Sequence, residues 1–173
     1  MTQVPIPPDR VRDPFQKDLP GIKMGRDGSR TPMQWDDSRY AGFSKVEPWL
    51  PLADDFRQYN VAKQRSDPTS IYHLYRQLIA LRRSRSALLR GSYRPIHADG
   101  DLLLFFREQG PERLLVALNF GMDAAVAKFP DELAGTLLLS SHLDRQGEHV
   151  RGTIELRSEE GVVIEVAGKA PRR

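Results

Sequence analysis

The residues best suited to contact a polar ligand are concentrated between Gly25 and Asp37. This segment holds two arginines, three aspartates, a tryptophan and a proline, and it lacks the period of a helix or a strand. A guanidinium offers five donors in a fixed plane, which suits vicinal hydroxyls or a carboxylate. The segment is too rich in recognition chemistry to be a simple connector.

Residues 30–36, Arg-Thr-Pro-Met-Gln-Trp-Asp, resemble the segment that follows the eighth barrel strand in α-glucosidases and oligo-1,6-glucosidases of the α-amylase superfamily, glycoside hydrolase family thirteen. Other parts of the chain resemble the same enzymes in the same order, up to about residue 120. These are Ile6–Val11, Asp13–Phe15, Ala41–Phe43, Glu47–Leu50, Asn60–Val61, Asp67–Ser70, Leu78–Arg82 and Leu114–Phe120. The resemblance is highly specific there and faint beyond it.

The chain lacks the residues that such an enzyme needs for bond cleavage. A glycosidase of this type uses two carboxyl groups, one as nucleophile and one as general acid and base. The resemblance places them on the fourth and fifth strands of a (β/α)₈ barrel, which takes about 250 residues. This chain has 173 residues and resembles only the part after the seventh strand. The resemblance therefore implies the C-terminal portion of an α-glucosidase, which we expect to be inactive alone and to contain no catalytic residue.

The resemblance also implies substrate-binding roles in the intact enzyme. Arg30 would point into the glucose-binding pocket and hold hydroxyls at the non-reducing end of an α-glucoside or a malto- or isomalto-oligosaccharide. The alternative is a structural arginine that ties down its own loop, and this role is favoured for the isolated chain. Trp35 could stack on a sugar ring, although packing of a long loop against the barrel is the favoured role.

The three aspartates of the segment do not have the pattern of a catalytic pair. Asp36 and Asp37 are adjacent, so their side chains diverge in an extended segment, whereas a retaining pair lies about 5 Å apart. For Asp27, Asp36 and Asp37 we expect loop capping and salt links to Arg26 or Arg39. The four histidines lack metal-ligand spacing, and we expect neither a metal nor another cofactor.

Composition excludes several other classes of protein. Twenty-six basic residues against twenty-three acidic ones, with a net charge of +3, give a mixed surface without the basic stripe of a nucleic-acid-binding protein. No stretch approaches the ~18 apolar residues of a membrane span. The chain has no cysteine, which is compatible with a reducing compartment. We expect a cytoplasmic protein that binds neither nucleic acid nor membranes.

The fold class predicted for the chain is α+β and mostly β, in three parts. Residues 1–66 hold most of the prolines and should be a loop-rich segment from the barrel mouth. Residues 67–91 should be one amphipathic helix, capped by Asp67 with Pro68 in its first turn and stopped by Gly91. The resemblance identifies it as the last barrel helix. Residues 92–173 should form an antiparallel β-sandwich.

Short apolar runs separated by turn residues predict the strands of the third part. The two nearly continuous runs, Leu102–Phe106 and Leu114–Leu118, should be central strands buried on both faces. Residues 149–158 could add one edge strand. The other predicted strands are Ser92–His97, Leu102–Arg107, Arg113–Asn119, Ala124–Phe129, Gly135–Ser140 and Gly161–Val166.

Two other interpretations of the chain stay open. The first is a stand-alone, non-catalytic β-sandwich that binds a partner or a sugar, although the β region offers no clear aromatic platform. The second is self-association. The apolar face of the predicted helix, together with the unpaired aromatics of residues 1–66, would form an exposed patch of the kind that marks an interface.

Overall fold

A computed structural model describes residues 4–19, 25–129 and 133–166. The chain divides into two compact units, residues 1–72 and residues 73–173. Among the described helices, none combines the length and the apolar character that a membrane crossing requires. The three-part division predicted from the sequence stays a prediction.

The first unit contains little regular structure, as its prolines predict. Its helices are α1, Pro14–Asp18, and α2, Val61–Ser66, together with three 3₁₀ turns at Pro8–Arg10, Asp27–Ser29 and Arg39–Gly42. The sequence did not predict α2. It begins where the Asn60 side chain accepts a hydrogen bond from the Lys63 amide at 3.0 Å, which is a standard N-terminal cap.

The single helix predicted over residues 67–91 was wrong in its bounds. The structure has α3, Ile71–Ser84, and α4, Ser86–Arg90, with an extended residue at Arg85 between them. Asp67 ends α2, and its carboxylate accepts hydrogen bonds from the amide and hydroxyl of Thr69, at 2.9 and 2.7 Å. Pro68 therefore lies in a turn between two helices. The predicted stop at Gly91 is confirmed, because α4 ends at Arg90.

Helix α3 exposes the apolar face that its periodicity predicts. Ile71, Tyr75 and Leu78 are 66%, 63% and 39% exposed, while Leu74 and Leu81 are half-buried. The helix contains no buried residue. An amphipathic helix owes most of its stability to burial of its apolar face, so α3 presents a large apolar surface without that support.

The second unit is an eight-stranded antiparallel sheet. Its order is β1-β2-β3-β8-β5-β6-β7-β4. The strands match the sequence predictions closely, and the predicted fold class, α+β and mostly β, is confirmed. The strands are β1 Ser92–Asp99, β2 Leu102–Gln109, β3 Glu112–Asn119, β4 Ala125–Lys128, β5 Ala134–Ser140, β6 His149–Arg151, β7 Thr153–Leu156 and β8 Gly161–Val166.

The sheet folds back on itself, because side chains from both of its ends share one core. Phe106 of β2 and Leu115 of β3 belong to the same buried cluster as Ala127 of β4 and Leu156 of β7. The four consecutive residues from Leu114 to Ala117 are all buried. Strand β3 is therefore covered on both faces, as its continuous apolar run predicts.

The single edge strand predicted for residues 149–158 was wrong. Two short strands, β6 and β7, meet at Gly152, which has a left-handed φ of +69°. Both lie inside the strand order, and the described edges are β1 and β4. The apolar alternation was interpreted correctly, since Val150, Ile154 and Leu156 are buried.

A buried carboxylate joins three segments at one end of the sheet. Glu160 accepts hydrogen bonds from the Ser140 hydroxyl at 2.6 Å, the Arg157 guanidinium at 2.7 Å and the Arg145 guanidinium at 3.1 Å. Burial by itself would raise the pKa of Glu160, but the hydrogen bonds from Arg157 and Ser140 lower it to about 2.

We expect Glu160→Gln to lower the free energy of unfolding by about 2 kcal/mol near neutral pH, because it removes the charge-assisted hydrogen bonds that the buried carboxylate accepts from Arg145 and Arg157. These arginines then keep Glu148 and Asp144 as charged partners. A pKa lowered from 4.5 to about 2 means that the charge stabilises the fold above pH 4.5 and is lost as the pH falls toward 2. Urea unfolding at both ends of this range should therefore show a smaller pH dependence for the variant. Glu159→Gln, at the exposed neighbouring residue, is the control, and equal losses for the two variants would contradict the role of Glu160.

Candidate functional site

Two buried aspartates fix the segment that carries the candidate ligand contacts. Asp27 accepts hydrogen bonds from the amides of Arg12 and Asp13, at 2.6 and 2.7 Å. Asp13 in turn accepts from the amide and the Nε atom of Arg26, at 3.2 and 2.8 Å. We call this reciprocal pair the Asp13–Asp27 clamp. It joins residues 12–13 to residues 26–27 without a strand pairing.

Asp13 pairs with two arginines of this segment, Arg26 and Arg30. The Arg26 guanidinium is hydrogen-bonded to Asp13, and the Nη1 atom of Arg30 lies 3.9 Å from the same carboxylate oxygen. The hydrogen bond from Arg26 lowers the pKa of Asp13 to about 2, against the opposing effect of burial. Asp13 is therefore an anion at neutral pH, and it orients both guanidinium groups.

Sequence reasoning missed Asp13 as part of this cluster and expected Arg26 to pair with an aspartate of its own segment, whereas the structure pairs it with Asp13. Asp13 is also the N-cap of α1, where its Oδ1 atom accepts from the Phe15 amide at 2.9 Å, and Pro14 occupies the first helical position. The order aspartate, proline and aromatic residue is a helix-start pattern that could have identified the cap. No local signal could have identified its bond to Arg26, because this contact spans thirteen residues.

The structure leaves both predicted ligand contacts accessible. The Arg30 side chain is 49% exposed while it is paired with Asp13, so about half of its surface is accessible to a ligand. The Trp35 side chain is 50% exposed. Its backbone is fixed, because its amide donates to the Ala41 carbonyl and its carbonyl accepts from the Ala62 amide, both at 2.9 Å. These geometries allow ligand contacts, and the assignment of those roles stays a proposal.

Two aspartates of the segment form the caps that the sequence predicts. Asp27 binds the backbone of residues 12–13, and Asp36 accepts a hydrogen bond from the Ser38 amide at 2.9 Å. The hydroxyl and the amide of Ser38 lower the pKa of Asp36. Arg39 stacks on the Tyr40 ring, with its guanidinium carbon 4.7 Å from the ring centroid.

Within the described ranges, no group of three or more metal-ligating side chains comes together.

The comparison with known protein families gives a direct match to this region. The family described as "Alpha amylase, catalytic domain" matches residues 2–91. The chain belongs to the α-amylase family. The matched range includes the Asp13–Asp27 clamp, Arg30, Trp35 and α2 to α4, and it ends where β1 begins.

Individual relatives extend the similarity into the β-sheet unit. The chain is 36% identical over 146 residues to an oligo-1,6-glucosidase of Parageobacillus thermoglucosidasius, which covers 82% of this chain and 26% of the relative. It is 34% identical over 140 residues to a probable α-glucosidase of Rhizobium meliloti, which covers 79% and 25% respectively. The chain thus spans about a quarter of the length of these relatives.

Solved structures show the same fold. The trehalulose synthase MutB of Pseudomonas mesoacidophila aligns with a TM-score of 0.83 and 30% identity, over 96% of this chain and 34% of that protein. An isomaltulose synthase of Klebsiella aligns with a TM-score of 0.76 and 26% identity, over 82% and 26% respectively. The family resemblance inferred from the sequence is therefore confirmed.

We expect Asp13→Asn to release the clamp, because the neutral amide keeps the shape of the side chain and loses its charge-assisted bonds to Arg26. Hydrogen–deuterium exchange should become faster at the amides of residues 25–30. Since the pKa of Asp13 is lowered from 3.8 to about 2, the wild-type clamp should persist above pH 3.8 and weaken as the pH falls toward 2. Asp9→Asn, at an exposed site in the same unit, should leave the exchange of residues 25–30 unchanged. Equal exchange in both variants would exclude the clamp as the constraint.

Proposed function

We propose that this chain is the C-terminal region of an α-glucosidase-type enzyme. The single observation that carries the proposal is the match of residues 2–91 to the catalytic domain of the α-amylase family, in a chain that covers about a quarter of its relatives. The names of the two relatives, an oligo-1,6-glucosidase and a probable α-glucosidase, describe enzymes that act on α-glucosides. We therefore propose an α-glucoside or a malto- or isomalto-oligosaccharide as the ligand of the complete enzyme.

In this proposal the chain binds the substrate and other parts of the barrel supply the bond-breaking carboxyls. A retaining glycosidase needs these two carboxyls about 5 Å apart across the scissile bond, and two of the three aspartates of the Gly25–Asp37 segment, Asp27 and Asp36, are engaged as caps. Arg30 would donate hydrogen bonds to sugar hydroxyls. Its pairing with Asp13 would hold it in place before the substrate binds, which reduces the entropy lost on binding. The chain alone would be inactive.

The named relatives include glucosidases as well as a trehalulose synthase and an isomaltulose synthase. A retaining enzyme forms a glycosyl-enzyme intermediate in either case, and the acceptor that resolves it decides the product. A binding role for Arg30 and Trp35 is compatible with both outcomes. We favour this family role over a stand-alone β-sandwich module because the family match lies in residues 2–91, before the sheet begins. A cytoplasmic location stays the prediction made from the cysteine-free sequence.

A chimera can test the role of Arg30. The chain would replace its matching region in the oligo-1,6-glucosidase of Parageobacillus thermoglucosidasius, and release of glucose from isomaltose would be measured. We expect Arg30→Ala in an active chimera to lower kcat/KM by about 10- to 100-fold, which corresponds to the loss of a charged hydrogen bond. Arg39→Ala, on the Tyr40 ring, is the control.

Two results would argue against the proposal. One is an active chimera that is indifferent to Arg30→Ala, which would remove the binding role of this arginine. The other is hydrolysis of p-nitrophenyl α-glucoside by the isolated chain, with contaminating enzyme excluded. That result would show that the chain contains its own catalytic carboxyls.

We also propose that the exposed apolar face of α3 packs against the remainder of the barrel in the complete enzyme. In the isolated chain this face would promote self-association, because water contacts Ile71, Tyr75 and Leu78. We expect Leu78→Glu to shift the isolated chain toward monomer in sedimentation velocity measurements. Ala80→Glu places the same charge on the opposite side of the helix and should leave association unchanged. A wild-type chain that is monomeric at all concentrations would contradict self-association.

A further inference from the structure

A ligand-sized cavity lies in the first unit, lined in part by the segment that carries Arg30 and Trp35. Its volume is about 450 Å³, within the range of roughly 300–1,000 Å³ that is typical of small-molecule sites. Thr31, Met33 and Gln34 line one side of it, and residues between 53 and 64 line the other. We call it the Gln34 cavity.

The two walls of the Gln34 cavity are joined by backbone hydrogen bonds. The Val61 amide donates to the Gln34 carbonyl and the Ala62 amide donates to the Trp35 carbonyl, both at 2.9 Å. Asn60 reinforces the second wall, because its side chain donates to the Phe56 carbonyl at 2.9 Å and accepts from the Lys63 amide at 3.0 Å. These bonds hold the cavity in shape before a ligand binds. The side-chain amide of Asn60 is already engaged in them on both its nitrogen and its oxygen.

Gln34 differs from Asn60 in having an unused donor. Its Nε2 atom is buried and has no hydrogen-bond partner among the described residues. Leaving such a group unpaired costs about 1–3 kcal/mol. The terminal torsion of a glutamine is soft, so the amide can turn and offer this donor to a ligand in the cavity that its side chain lines.

The other lining groups restrict the chemistry of the ligand. Asp55 supplies a carboxylate acceptor, and Tyr59 and Met33 supply apolar surface that is 56% and 40% exposed. The described residues that line the cavity include no lysine or arginine, which disfavours an anionic ligand such as a phosphate or a carboxylate. Asp55 is the one carboxylate among the described lining residues, which provides little charge to hold a calcium or magnesium ion.

We propose that the Gln34 cavity binds one neutral pyranose unit. Gln34 donates to one hydroxyl, Asp55 accepts from another, and the Tyr59 ring covers the C–H face of the sugar. This site is separate from the pocket proposed for Arg30. Only the choice of glucose as the pyranose rests on the proposed function, while the neutral, hydroxyl-rich character of the ligand follows from the lining.

Binding to the whole chain can be measured by isothermal titration and saturation-transfer NMR with methyl α-glucoside and isomaltose. We expect millimolar binding that Gln34→Leu and Tyr59→Leu each weaken by at least about tenfold. Gln109→Leu makes the same substitution at an exposed site in the other unit and should have no effect. Gln34→Glu keeps the side-chain shape and removes the donor, so it replaces Gln34→Leu if that variant loses its near-ultraviolet circular dichroism.

The outcomes separate this site from the function proposed above. Absence of binding by both glucosides, or binding that is unaffected by the Gln34 and Tyr59 variants, would overturn the inference. Binding that Arg30→Ala abolishes and the Gln34 variants leave intact would assign the ligand to the Arg30 region and also overturn it. An active chimera that is indifferent to Arg30→Ala, combined with Gln34-dependent binding, would leave the cavity established and remove only the role proposed for Arg30.

Discussion

Buried carboxylates that accept hydrogen bonds from loop amides are the constraint on which the first unit depends. This unit is rich in proline and has no strand pairing among its described residues, so its backbone amides need acceptors of another kind. Asp13 and Asp27 supply them to each other's segments and bring residues 12–13 beside residues 26–27. The second unit also contains a buried carboxylate that joins separate residues. Glu160 accepts hydrogen bonds from the side chains of Ser140, Arg145 and Arg157.

The clamp connects the fold to the proposed ligand chemistry. Asp13 uses one carboxylate for three purposes, since it caps α1, binds Arg26 and pairs with Arg30. A guanidinium fixed in this way keeps donors free for a ligand. The neighbouring residues Gln34 and Trp35 are fixed differently, through backbone bonds to the start of α2. One short segment thus presents side chains on two surfaces, one with Arg30 and one with Gln34.

The sheet was largely predictable from the sequence because its signals are local. Apolar runs bounded by turn residues located the strands to within a few residues, and the continuous run from Leu114 to Ala117 identified a strand covered on both faces. The break between α3 and α4 was not predictable, because residues 82–86 contain neither the proline nor the glycine that would mark it. Arg85 leaves the helix to pair with Glu165 at 2.6 Å, and Glu112 accepts from the Ala87 amide at 2.7 Å. Both partners are distant in the sequence.

The sequence by itself determined the family, the strand positions, the apolar face of α3 and the segment that carries Arg30 and Trp35. Each of these depends on residue type and on spacing within one segment. Tertiary structure alone decided the strand order, the Asp13–Asp27 clamp and the unpaired donor of Gln34. These features depend on which distant groups meet, and a carboxylate in the sequence gives no indication of which amides it will bind once it is buried.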